Sequence, residues 1–153
     1  MRITTYKTKL NEDKHNILVK EKSTNYQISG LTSPESIFNM MNNVFDMQNL
    51  AEEYLYMIAC DSKQKVLGVF EISHGTVNAS LISPREIFIR ALLCGAVNII
   101  LTHNHPSGNS YPSAEDNRAT KRIKECGELM GISLLDHIII GDDFYSFKQE
   151  GIM

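Results

Sequence analysis

The sequence lacks several things that would have named its chemistry early. There is no Cys-x-x-Cys pair, and Cys60, Cys94 and Cys126 stand far apart in apolar or helical stretches. A disulfide framework and a cysteine-based zinc site are both excluded on that spacing, which leaves reduced, buried or half-buried thiols. No Gly-rich phosphate loop of the GxGxxG or Walker type follows any strand-like run, so nucleotide binding has no support. No apolar run approaches the roughly 20 residues that span a bilayer. The first residues, MRITTYKTKLNEDKH, have no apolar core of a signal peptide. The cytosol is therefore the expected compartment, with no membrane contact. Basic excess is missing too, because 15 Lys and Arg face 18 Asp and Glu for a net charge of −3. Nucleic-acid binding is not supported by that balance.

What is present is a chain of 153 residues, 42% hydrophobic and 22% charged, enough to bury one core. Residues 1–30 form a basic N-terminal arm with six Lys or Arg against three acids and only weak strand signals, at Asn16–Lys20 and Tyr26–Ser29. The domain proper is expected over 31–153. Its first helix reads SPESIFNMMNNVFDM, with Ser33 as cap, Pro34 in the first turn and Ile37, Met40, Met41, Val44 and Phe45 on one apolar stripe. Strands follow at Glu53–Asp61 and Val66–Ser73, joined by the polar link SKQK. His74-Gly75 reads as a turn and TVNASLI as a weaker strand. Ser83-Pro84-Arg85-Glu86 has the pattern of a capping box, opening a helix through Ile87, Ala91, Leu92 and Ala96. NIILT (Asn98–Thr102) is a short buried strand with His103 at its end. A helix from Ala114 to Met130 with Gly131 as C-cap, a strand at Ile132–Ile140 and a last strand at Phe144–Phe147 complete the pattern. Helices and strands alternate only in part. The fold class is accordingly α/β (α+β), with a single mixed sheet flanked by helices.

The chemistry concentrates in LTHNHPSGNSYPSAED, Leu101–Asp116. His103 and His105 are two apart, so on extended backbone both imidazoles face one way. Pro106–Pro112 is turning sequence, and it leads to Ser113 and then to Asp116 in the first turn of the next helix. The loop can bring Asp116 back to the histidines. Two histidines and a carboxylate leave a zinc ion one open position, the arrangement in which it acidifies water and polarises a carbonyl. A general base that is not a ligand is also required. Glu52 and Glu53, at the mouth of an apolar strand, and Glu71, within the next, are the candidates, and the residues alone do not choose among them. Ser113 and Asp116 also suit plain helix capping. His137, beside Asp136 in an apolar strand, is expected to form a hydrogen-bonded structural pair with it behind the site. His15 and His74 have no matching spacing, and Arg118, Lys121, Arg122 and Lys124 form a basic helix face expected to be solvated.

The pattern His103-Asn104-His105, seven residues, Ser113, two residues, Asp116 resembles the JAMM signature of the JAB/MPN metalloprotease family. The wording HNHPSG…PS..D, with Pro84-Arg85-Glu86 upstream and Leu135-Asp136-His137 downstream, is similar to its RadC-like branch in a short form, over about Leu31 to Met153. The resemblance implies a JAB/MPN-like fold of cytidine-deaminase-like architecture. It implies one zinc held by His103, His105 and Asp116, with Glu53 as catalytic base and Ser113 steadying the oxyanion. A peptide or isopeptide bond in a peptide or protein substrate is then the expected target. A DNA-repair-associated or protein- or DNA-binding module on the same fold is the alternative. A zinc deaminase is disfavoured, because neither H-x-E nor P-C-x-x-C is present.

Overall fold

The order of elements is set by where the apolar runs are punctuated. In a computed structural model of the chain the described residues are 1–27, 30, 31, 33–75 and 82–153. Among them the chain forms β1 (Arg2–Leu10), β2 (Asn16–Asn25), α1 (Pro34–Phe45), a 3-10 turn (Met47–Asn49), β3 (Glu53–Cys60) and β4 (Val66–Gly75). There follow α2 (Pro84–Leu93), β5 (Asn98–Asn104), α3 (Ala114–Met130), β6 (Ser133–Ile140) and β7 (Phe144–Ser146). The seven strands make one mixed sheet in the order β2-β1-β4-β3-β5-β6-β7. β1 with β4 and β5 with β6 are parallel pairs, and the remaining neighbours are antiparallel.

Each face of the sheet carries its own core. Leu55, Met57, Phe70, Leu101 and Leu134 pack with Ile87, Phe88 and Ala91 of α2 and Ile123 of α3 on one side. Tyr56, Ile58, Val69, Ile100, Ile138 and Ile140 pack with Ile37, Met40 and Met41 of α1 on the other. This is the period-2 alternation of strands buried on both faces. The helix starts follow the expected chemistry in two cases of three. Ser33 caps α1 and Ser113 caps α3, each in a reciprocal capping box, with Ser36 and Asp116 as the third-position partners. Ser83 makes no such bond, and the Glu86 carboxylate accepts from Arg85 and Arg90.

Several expectations need correction. Residues 2–25 hold two paired strands, a bulged antiparallel hairpin, where only weak strand signals were expected. Its outer strand carries Ile17, Leu18 and Val19 in succession and then polar residues, so no period of two stands out. His74-Gly75 is no turn: β4 runs through it, held extended by pairing with β3, and the His74 ring stacks on Tyr54 with centroids 5.0 Å apart. The helix through Ala96 ends sooner, at Leu93, and Leu92 is exposed. The expected strand TVNASLI, apart from Ile82, and the end of Tyr26–Ser29 lie outside the described residues. The three cysteines are free, and burial pushes the Cys60 thiol up to about 11. Among the described residues no helix is long and apolar enough to cross a membrane.

Candidate metal centre

The site forms where β5 ends. β5 lies between antiparallel β3 and parallel β6, and the crevice past the carboxyl ends of such strands is a common place for ligands in open α/β sheets. Leu55 pairs with His103, so both side chains project to the α2–α3 face. β5 extends two residues beyond NIILT, which places His103 within the strand and His105 one residue after its end.

The loop then turns as its composition requires. Gly108 sits at φ +81°, and its amide donates to the His105 carbonyl at 3.0 Å. The Asn109 carbonyl lies 2.8 Å from Nδ1 of His105, which fixes that ring with Nε2 toward the site. Gln48 braces the neighbouring turn by donating to the Gly141 carbonyl at 2.7 Å, and Asp142 N donates to the Gly108 carbonyl at 2.7 Å. The loop ends at Ser113, and the first turn of α3 swings Asp116 inward.

Three donor groups therefore converge. His103 Nε2 is 3.0 Å from His105 Nε2 and 3.2 Å from Asp116 Oδ1, and His105 Nε2 is 3.5 Å from Asp116 Oδ2. Three donors each about 2.0–2.1 Å from a tetrahedral ion stand about 3.4 Å from one another. The observed separations lie near that value, the two Asp116 distances being to different oxygens of its carboxylate. Two imidazole nitrogens and a carboxylate oxygen are also a donor set that zinc accepts. Among the described residues this is the group of histidine and acid side chains that could hold a metal ion.

The electrostatics agree with a site prepared for a cation. Burial alone would raise the Asp116 pKa, but hydrogen bonds with His103 and His105, and one from Ser113, hold it well below the usual carboxylate range. Burial works against a charge on His105. The Asp116 carboxylate, the Asn109 carbonyl and the more distant charge of Glu53 outweigh it, and the His105 pKa is raised.

Glu53 opens β3, two residues before Leu55 and on the same face. Continuing the register of Leu55 with His103 sets it beside His105. Its backbone is fixed by a residue that sequence reasoning passed over. Asn104 points to the opposite face from the histidines. Its Oδ1 accepts from Tyr54 N at 2.8 Å, and its Nδ2 donates to the Glu52 carbonyl at 3.0 Å. It thus clamps the chain on both sides of Glu53. Glu71 lies elsewhere, half exposed, with His74 and Tyr56. Ser113 is at the rim. Its hydroxyl donates to Asp116 Oδ2 at 2.6 Å and accepts from Asp116 N at 3.1 Å.

The Asp136–His137 side-chain pair does not form. Consecutive strand residues point to opposite faces, and Asp136 accepts instead from Ser146 Oγ and from the amides of His137 and Lys148. Burial raises the Asp136 pKa despite those bonds. His137 turns to the site face and meets His103. The basic face of α3 is largely solvated, with Arg118 on Glu115 and Lys121 near Glu125.

A mixed α/β sheet with a His-His-Asp cluster at the end of a central strand defines a class of α/β protein with a candidate metal site. The family model of the RadC-like JAB domain matches residues 31–152, and the chain belongs to that family. Similar relatives include a UPF0758 protein of Clostridium acetobutylicum, 43% identical over 124 residues, which are 80% of this chain and 53% of the relative. Another UPF0758 protein, from Alkaliphilus metalliredigens, is 44% identical over the same shares. One from Clostridium perfringens is 49% identical over 109 residues, 71% of this chain and 48% of the relative. The chain spans about half the length of these curated relatives.

Proposed function

We propose that this domain is a zinc-dependent hydrolase of peptide or isopeptide bonds. The observation that carries the reading is the donor triangle of His103, His105 and Asp116, whose ligand atoms lie within 4.8 Å of one another, with Glu53 two residues before Leu55 on the same face of β3. A zinc ion bound there supplies Lewis acidity, which polarises a carbonyl and acidifies water.

The chain's own residues do the rest. His103 and His105 offer Nε2 to the ion and Asp116 offers its carboxylate, the depressed proton affinity of which keeps it ionised. Glu53 is no part of the triangle. It takes the proton of the attacking water and delivers it to the departing amine, as a general base that becomes a general acid. The Asn104 clamp holds Glu53 in position for both transfers. Ser113 supports the oxyanion of the tetrahedral stage by hydrogen bonding. To do so its hydroxyl must leave Asp116 Oδ2, a partner whose charge is shared once a cation is bound.

Glu53→Gln tests the base while sparing the ligands. The variant should bind zinc as the unaltered protein does and lose about 10²–10⁴-fold in turnover. The assay uses quenched-fluorescent peptides together with a lysine-isopeptide substrate. Unchanged turnover in Glu53→Gln would exclude Glu53 as the base, and a zinc-loaded protein inert toward every amide tested would remove the hydrolase reading.

A further inference from the structure

Behind His103 runs a file of buried polar groups that the donor triangle does not use. His103 Nδ1 is 2.8 Å from His137 Nε2. His137 Nδ1 is 2.7 Å from Thr120 Oγ1, which is itself 2.7 Å from the backbone carbonyl oxygen of Asp116. His103, His137, Thr120 and Asp116 are all buried. The His137 ring is also held flat against Phe147, with centroids 5.2 Å apart and planes 9° from parallel.

The direction of the file follows from its last member. A carbonyl oxygen only accepts, and Thr120 has a single hydroxyl proton. If that proton pointed at His137, two oxygens would face each other at 2.7 Å with nothing between them. Thr120 therefore donates to the Asp116 carbonyl and presents a lone pair to His137. Nδ1 of His137 carries the proton that fills that contact. His137 is completely buried, and its ring nitrogens meet a hydroxyl and an imidazole rather than a carboxylate, so a charge there would go uncompensated and the ring is neutral. Nε2 of His137 is then bare, and it accepts from Nδ1–H of His103.

We propose that the Asp116 carbonyl, Thr120 and His137 act as a tautomer relay that places a proton on Nδ1 of His103 and so leaves its Nε2 as the atom available to a metal. The proposal rests on the metal reading given above. Run in reverse, the file would put a proton on His103 Nε2 and block the ligand atom. The residue that contributes a carboxylate ligand thereby also sets, through its own backbone, the tautomer of a second ligand. His137 and Thr120 are positioning residues: neither reaches the metal position, and both act through His103. Metal-bound histidines usually donate their second N–H to a carboxylate, a carbonyl or water. A neutral imidazole can replace those acceptors only if its own tautomer is imposed, and Thr120 imposes it.

The test reads nitrogen shifts as well as affinity. In the metal-free protein, ¹⁵N NMR of the imidazoles should show His137 protonated on Nδ1 and bare on Nε2. Thr120→Val removes the acceptor of that proton at nearly constant shape. It should mix the His137 tautomers and weaken zinc binding about 10–100-fold, whereas Thr120→Ser should restore both. A proton on His137 Nε2 in the unaltered protein overturns the proposal. So does a folded Thr120→Val that binds zinc as tightly as the unaltered protein. If Thr120→Val does not fold, the spectrum of the unaltered protein decides alone. Should the unaltered protein bind no zinc, the hydrolase reading fails, while the His137 shifts still decide the tautomer.

Discussion

Gly141→Ala perturbs the site from behind and leaves every chemical group of it in place. A Cβ at Gly141 would stand 2.2 Å from the Gly108 carbonyl oxygen, 2.7 Å from its carbon and 2.8 Å from Ser110 N. All three atoms are backbone, so no side chain can move aside. Relieving the contact to about 3.2 Å requires a shift of about 1 Å between the β6 end and the 105–112 loop, an overpacking strain of about 1–3 kcal/mol. At about 2–4 °C per kcal/mol for a chain of this size, the unfolding midpoint should fall by about 2–12 °C. His105 stays with β6 through its amide bond to the Ile140 carbonyl, so the shift falls on Gly108–Ser110 and pulls Asn109 from His105, whose Nδ1 contact is 2.8 Å long. A His105 ring that has lost its orienting carbonyl should cost about 10–100-fold in zinc affinity. Thermal unfolding and competitive zinc titration measure the two effects separately. A Gly141→Ala protein with unchanged midpoint and unchanged zinc affinity would refute both the close packing of this loop and its role in aiming His105.

Two other outcomes follow from the same structure. In the metal-free protein, His137 stays neutral when folded but titrates near 6.5 when unfolded, so the unfolded chain binds the extra proton below that value. Stability should therefore drop as pH falls below 6.5, at up to about 1.4 kcal/mol per unit. The raised pKa of His105 has the opposite sign: its contribution is full below 6.5 and is lost as pH rises through the folded value. From these two groups urea midpoints should peak near pH 6.5, and His137→Gln should flatten the acid side; an unchanged acid slope would count against a neutral buried His137. On the far face of the sheet, Ser33→Ala removes the α1 cap and should cost about 0.5–2 kcal/mol in urea unfolding. Zinc affinity should stay the same, since α1 packs on the face opposite the histidines, and a parallel loss of zinc would contradict that layering.

The parts of the fold that could be read in advance were those with local punctuation. α3 was bounded by Ser113 and Gly131, and the structure ends it at those residues, with Gly131 left-handed at φ +68°. α1 announced itself through Ser33-Pro34 and its apolar stripe. β1 did not, because Arg2–Leu10 buries only Ile3 and leaves the rest half exposed or exposed, which erases the period of two. The donor cluster was legible because its loop is short and its spacing fixed. Asn104 and Thr120 were not, since their partners lie 50 residues away at Tyr54 and 17 away at His137. Nothing in a linear pattern marks such contacts. The Asp136–His137 misreading was avoidable: alternation along a strand already separates neighbours onto opposite faces.

Everything proposed for this domain depends on His103, His105 and Asp116 forming one metal site. The direct measurement is the zinc content of the purified chain after equilibration at about one equivalent and removal of loosely held ion, compared with Asp116→Ala. About one zinc per chain is expected in the unaltered protein, and none retained by a folded Asp116→Ala. An unaltered protein that retains no zinc, or an Asp116→Ala protein that holds one equally tightly, would contradict that site.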